Sequence, residues 1–220
     1  MNLDSELFNY LATHQNGSDD PDRIPPLGDL SVEMGVSVPK LREQLGAARA
    51  LGFVEVRPRT GIRRKPYTFA PAVTSSLLYA VARDRVRFAE FSDLRIRLET
   101  AYWCEAVSAL TSEDIAELTV LAEAAWAKLN GSPITIPHAE HRRLHLLIFS
   151  RLDNPFVTGL LEAYWTAYEA VELNSYADLA YLREVWTYHE RIVRAIAAGN
   201  PEASLAAFVE HTNLLRHRSA

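Results

Sequence analysis

A mainly α-helical chain in two parts, a small mixed module followed by an all-helical bundle, is what three features of the sequence predict. Apolar residues recur at helical spacing through most of the chain and without interruption by strand patterns in its second half. Alternation of the β kind is confined to one short stretch around Phe53 to Arg57, and basic residues gather around that same stretch. The 220 residues are 48% apolar and 23% charged, the balance of an ordinary globular protein with enough chain to bury a sizeable core. Early acids, Asp4 and Glu6, and the lack of an unbroken apolar run predict neither a signal peptide nor a membrane-spanning helix, hence a cytoplasmic chain with no membrane partner. The one cysteine, Cys104, lies in an apolar helical pattern; it excludes a disulfide scaffold and reads as a small buried hydrophobe.

In order along the chain, Leu3, Leu7, Phe8 and Leu11 predict a short first helix ending near His14, before a run of turn residues. Leu30 and Met34 mark a second helix that Gly35 stops. Ser37 then caps a third, with Leu41, Leu45 and Ala48 on its apolar face. Phe53 to Arg57 alternates as a strand does, Pro58 to Gly61 turns, and Ile62 onward returns, which makes a wing. Residues 1–66 are thus expected to form a winged helix-turn-helix. The segment 67–75 carries Pro71 and no helical period and is expected to be a linker. Residues 76–220 are expected to form an all-α bundle. Its stripes are Phe91, Leu94, Leu98 and Ala101, then Ile115, Leu118, Ala122, Ala125 and Leu129 after a Thr111/Asp114 cap. Further helices fit 137–152, 155–174 and 179–198, and a last one starts at Asn200 and Pro201 and runs through Leu205, Phe208 and Leu215.

The net charge of -5 hides an uneven distribution. Residues 1–37 hold seven acids and one base, whereas residues 38–66 hold Lys40, Arg42, Arg49, Arg57, Arg59, Arg63, Arg64 and Lys65 against Glu43 and Glu55. A compact basic segment in an acidic chain is the footprint of a phosphate backbone. In a helix-turn-helix the second helix enters the major groove, which places Lys40 and Arg42 near the DNA, with the wing cations along the backbone or minor groove. A solvated charged surface without a partner explains the charge run equally well.

Gly35-Val36-Ser37, Leu41-Arg42-Glu43, Leu45, Leu51-Gly52-Phe53-Val54 and Gly61 align without a gap on the winged-helix pattern of the GntR family of bacterial transcription regulators, which this segment resembles. The resemblance implies binding to double-stranded DNA at a palindromic operator, with contacts carried onto Ser37, Arg42 and Gly61; Lys40 and Arg59 are added on charge and location. The family's arginines in its first motif and after the serine fall on Gly28 and Val38, so a different operator or weaker binding is expected.

His141 and His145 stand four apart on one expected helix, a spacing that projects both rings from one face and that a single metal ion can bridge. His189 interrupts the stripe Leu182, Trp186, Val193, Ile196, and His211 lies on the stripe of Phe208 and Leu215. Buried imidazoles on converging faces are stabilised by a metal, an anion or hydrogen bonds. The second half is similar to the FCD domain of the FadR subgroup, over roughly 75–217. The motifs are Asp93 to Glu99, His141 to His145 and His189 to Asn200, with a looser match ending at His211. In metal-binding members the ligands are one aspartate and three histidines, which fall here on His141, His145, His189 and His211, so histidine stands in the aspartate's place. Glu140 points about 100 degrees away round the helix.

Four nitrogen donors suit zinc, nickel or copper and leave the ion's double charge uncompensated, which an anionic effector could supply. Arg95, at the family motif's arginine, is the expected clamp for a small carboxylate effector. The same substitution also fits loss of the metal and direct anion binding by the imidazoles. Tyr102, Trp103, Tyr164, Trp165, Tyr168, Trp186 and Tyr188 suffice to line a pocket, though most fit plain core or interface. The resulting expectation is a ligand-responsive regulator, by family habit a repressor, that works as a homodimer and performs no chemistry. A metal-dependent helical hydrolase-type enzyme and a purely structural dimerisation bundle are the alternatives. No H-E-x-x-H and no E-x-x-H of a di-iron bundle supports the enzyme.

Overall fold

The computed structural model describes residues 3, 5–14, 20–172 and 178–218, with residues 172 and 214–218 described by backbone alone. Asp4, most of the turn-rich run at 15–19, residues 173 and 174 and the side chains of Leu215 and His217 lie outside that description. The chain forms two compact units, Met1–Ala72 and Val73–Ala220.

The first unit contains α1 (Glu6–Thr13), β1 (Arg23–Ile24), α2 (Leu27–Met34), α3 (Val38–Ala50), β2 (Val54–Arg57) and β3 (Gly61–Arg64). Ser5 caps α1 by accepting from the Phe8 N–H, and Gly35 ends α2 in the left-handed region at φ 66°, where a Cβ would strain the backbone. Ser37 stands at the N-cap of α3 with its hydroxyl outside any capping bond, and Pro39 fills the first turn. Leu7, Leu30, Leu41, Leu45, Ala48, Val54 and Ile62 pack together as the core of this unit. The hairpin β2–β3 pairs Val54 with Arg64 and Val56 with Ile62, as a wing requires. A third strand, β1, adds to its edge through Arg23↔Arg63 and Ile24↔Ile62. Two residues are too few to show a period, so the sequence pattern gave no sign of it. Between α3 and β2, Gly52 has φ 80°, and a Cβ there would sit 2.6 Å from Pro71 Cγ; the turn requires glycine twice over.

The segment 67–75 corrects one expectation. It is not an irregular linker throughout, because α4 (Ala70–Arg83) begins within it. Pro71 does not oppose this helix: in a first turn its missing N–H would have no intrahelical partner in any case.

Beyond α4 lie α5 (Val86–Ser108), α6 (Ser112–Leu129), α7 (His138–Ile148), α8 (Pro155–Glu172), α9 (Leu179–Ala197) and α10 (Pro201–Arg218). Thr111 and Asp114 form a reciprocal capping box at α6, and Asn200 Oδ1 accepts from the Ala203 N–H at the start of α10. The core is locked by Trp103, whose indole N–H donates to Ser204 Oγ at 2.8 Å while its ring stacks on Phe208 at 4.3 Å between centroids. The inward face of α5 differs from the expected stripe: Leu94 and Ala101 are exposed, and Phe88, Arg95, Ile96, Glu99, Trp103, Ala106 and Val107 are buried. An apolar period could not find this face because an arginine and a glutamate sit in its middle. Among the described residues no helix is long and apolar enough to cross a membrane.

Candidate metal centre

Three helices converge on one buried point. α7 supplies His141 and His145 one turn apart, α9 supplies His189 from the face that also buries Val185, Trp186, Ile192 and Ile196, and α10 supplies His211. One ligand nitrogen from each ring lies within 4.8 Å of the others, and no other such group occurs among the described residues. The closest approach is His145 Nε2 to His189 Nε2 at 3.1 Å. Neighbouring donors on a zinc-sized ion sit about 3 Å apart, given bonds of roughly 2.0–2.1 Å, so this pair already has the spacing of two ligands. Trp165, Trp186 and Tyr168 surround the rings and keep the site apolar. Glu140 turns away to pair with Lys128 at 2.6 Å and adds no oxygen to the cluster. Of the aromatic set weighed from sequence, Trp103 is core, while Trp165, Tyr168 and Trp186 wall the imidazoles. The donor set fits a zinc- or nickel-class ion and not magnesium or calcium, which need oxygen.

Burial, followed by the neighbouring rings, drives His141 and His189 well below the ordinary imidazole value. Burial and then His145 and Arg95 do the same to His211. Burial also lowers His145, although Glu99 opposes the shift. All four rings are therefore neutral near pH 7, as metal ligands must be. The folded values are depressed, so above about pH 6.5 the rings cost nothing, and below it the unfolded chain takes up protons that the fold refuses. Metal-free protein is expected to lose up to about 1.4 kcal/mol per pH unit for each ring between pH 6.5 and 5. Urea midpoints measured across that window check this; a flat profile contradicts it.

Beside the cluster stand two residues of α5, Arg95 at 3% exposure and Glu99 at 0%. Arg95 Nη1 donates to Glu99 Oε2 at 2.5 Å, Nη2 lies 3.4 Å from the Tyr164 hydroxyl, and the guanidinium covers the Tyr164 ring at 4.4 Å. Glu99 Oε1 faces His145 Nδ1 at 3.3 Å. Burial alone would raise the Glu99 carboxyl; Arg95 and then His145 outweigh it and hold it below the usual carboxylate range. Glu99 carries no expected role from sequence, although it closes the same motif as Arg95, four residues on and on the same helix face. The two charges cancel, so the pair adds no net charge beside the imidazoles.

The DNA-binding candidates lie in the first unit. Ser37, Lys40, Arg42, Arg59 and Gly61 are all exposed, Ser37 to Arg42 at the start of α3 and Arg59 and Gly61 at the tip of the wing. Arg59 and Gly61 both adopt positive φ, 70° and 78°. Several of the basic residues are already engaged: Lys40 pairs with Glu6, Arg57 with Glu55 at 2.9 Å, Arg63 with Asp20 at 2.6 Å, and Arg64 donates to the His14 carbonyl at 2.5 Å. The raw charge count therefore overstates the cations ready for phosphate. Among the described residues, Arg42 and Arg59 are the candidates without such a tie.

Residues 90–214 match the family model of the FCD domain. The chain belongs to that family. In fold it is similar to a GntR protein of Streptococcus agalactiae, with a TM-score of 0.66 at 20% identity over 97% of this chain and 96% of that one. E. coli McbR/YncC aligns over 91% of this chain and 87% of its own at 22% identity, with a TM-score of 0.47. A search of curated proteins gives no match.

Proposed function

We propose that this chain is a GntR-family transcription regulator of the FadR subgroup, a cytoplasmic homodimer that represses at a palindromic operator and senses a small carboxylate through a zinc- or nickel-class ion held by His141, His145, His189 and His211. The observation that carries the reading is the convergence of four neutral imidazoles from three helices, with one nitrogen of each within 4.8 Å of the rest. Ordinary core histidines would be matched to acceptors and donors of the protein. Here His211 Nδ1 is buried without a hydrogen-bond partner among the described residues.

Arg95 supports the carboxylate. Its Nη1 is committed to Glu99, but Nε is buried and unpartnered and Nη2 makes only a long bond to Tyr164. Nε and Nη2 form one edge of the guanidinium, and that edge suits a carboxylate bound through two parallel hydrogen bonds. The effector changes DNA affinity only by as much as it prefers one arrangement of the dimer over the other. No observation favours the hydrolase-type alternative: Glu99, beside the cluster, and Glu140, on the same helix as His141, are engaged by Arg95 and Lys128 rather than placed to activate water.

Mobility shifts on the DNA upstream of the gene test the reading, which expects sequence-selective, salt-dependent retention relieved by effector. Arg42→Ala is expected to weaken operator binding about tenfold or more while leaving zinc binding unchanged. Equal retention of operator and random DNA by the wild-type protein at every effector condition tested would count against it.

A further inference from the structure

We infer that Glu99 is a positioning residue that fixes the tautomer of His145 and thereby keeps the cluster open to metal. The inference rests on the metal-centre reading and goes beyond it, because it concerns a residue that touches no ligand atom of the cluster.

Hydrogen-bond accounting begins at His189. Its Nδ1 lies 2.9 Å from the Val185 carbonyl, which can only accept, so Nδ1 carries the proton and Nε2 the lone pair. That lone pair faces His145 Nε2 at 3.1 Å. Two arrangements are open to His145. With its proton on Nε2 it donates to His189, closing a hydrogen bond that uses up both lone pairs and shuts the site to an ion. With its proton on Nδ1, both Nε2 atoms keep bare lone pairs 3.1 Å apart, an approach that an ion bound by both relieves.

Glu99 decides between them. Its Oε2 is taken by Arg95, while its Oε1 and His145 Nδ1 are both buried, 3.3 Å apart and without another hydrogen-bond partner. Either tautomer leaves one acceptor facing another, but a bare Nδ1 would face a full negative charge on Glu99, whereas a bare Nε2 faces only the neutral His189 ring, so the first clash costs more. A proton on Nδ1 turns the same approach into attraction. The buried carboxylate thus favours the metal-ready form of His145, and Arg95 holds the carboxylate in place by its other oxygen. The arrangement is the carboxylate–histidine pair that orients ligands in metal sites generally.

Nitrogen-15 NMR of histidine-labelled, metal-free full-length protein reads the tautomer directly. The expected result is His145 protonated on Nδ1; a wild-type spectrum with the proton on Nε2 overturns the inference without any variant. Zinc titrations against a competing chelator supply the second readout. Arg95→Met combined with Glu99→Leu removes both charges, so that neither is stranded, and is expected to move the His145 proton to Nε2 and weaken zinc binding by about 10- to 100-fold. Zinc affinity within twofold of wild type in that double variant overturns the role of Glu99, provided His145→Ala abolishes zinc binding. If His145→Ala and His189→Ala also bind zinc as wild type does, the metal reading itself fails.

Discussion

Replacing His189 by alanine is expected to lower zinc affinity by roughly 100-fold or more. A zinc site of four protein ligands gains on the order of 10–16 kcal/mol in total, so one ligand accounts for about 3 kcal/mol. His189 is a demanding choice for the test because it is central: its Nε2 approaches His145, and its ring lies 4.7 Å from His141 and 4.5 Å from His211 between centroids. Zinc in large excess over its dissociation constant is expected to raise the thermal midpoint of the wild-type protein by about 10 °C. The variant is expected to show little of that rise. Calorimetric zinc titration and thermal melts with and without zinc check both statements, and unchanged affinity in the variant refutes the ligand assignment.

Arg95→Met is expected to have the second large effect, a loss of about 3–5 kcal/mol of stability, because it strands a buried carboxylate. Glu99 has no exposure and depends on Arg95 for its ionised state. In the variant its folded pKa moves above the unfolded value, so the penalty is full near neutral pH and shrinks as pH falls toward about 4.5. The difference between variant and wild type is the quantity to follow, since the histidines titrate in both. Adding Glu99→Leu is expected to recover most of the loss, because an apolar pair replaces an ion pair at little net cost. Urea denaturation at several pH values measures these differences, and a cost below about 1 kcal/mol contradicts the burial and pairing described here.

Much of the fold was legible because local chemistry and packing agree. Gly35, the Thr111/Asp114 box and Asn200 each stand at the helix ends their side chains suit, whereas Ser37 holds the N-cap position of α3 without a side-chain capping bond. Leu41, Leu45 and Ala48 are buried at the spacing that announces them. The histidine cluster was legible for the same reason, since a polar residue on an otherwise apolar stripe must find a partner in the core.

What escaped had no local signal. β1 is two residues long and exists only through its pairing with β3. The inward face of α5 was displaced because Arg95 and Glu99 look like solvent-facing charges until the tertiary structure pairs them in the core. Long-range pairs such as Lys40 with Glu6 and Arg63 with Asp20 consume cations that a count along the chain treats as available.

The most direct measurement of the central claim is native mass spectrometry with elemental analysis of the purified full-length protein. The expected result is one zinc- or nickel-class ion per protomer, removed by chelator and restored by adding zinc. A wild-type protein that remains free of metal in excess zinc would contradict it.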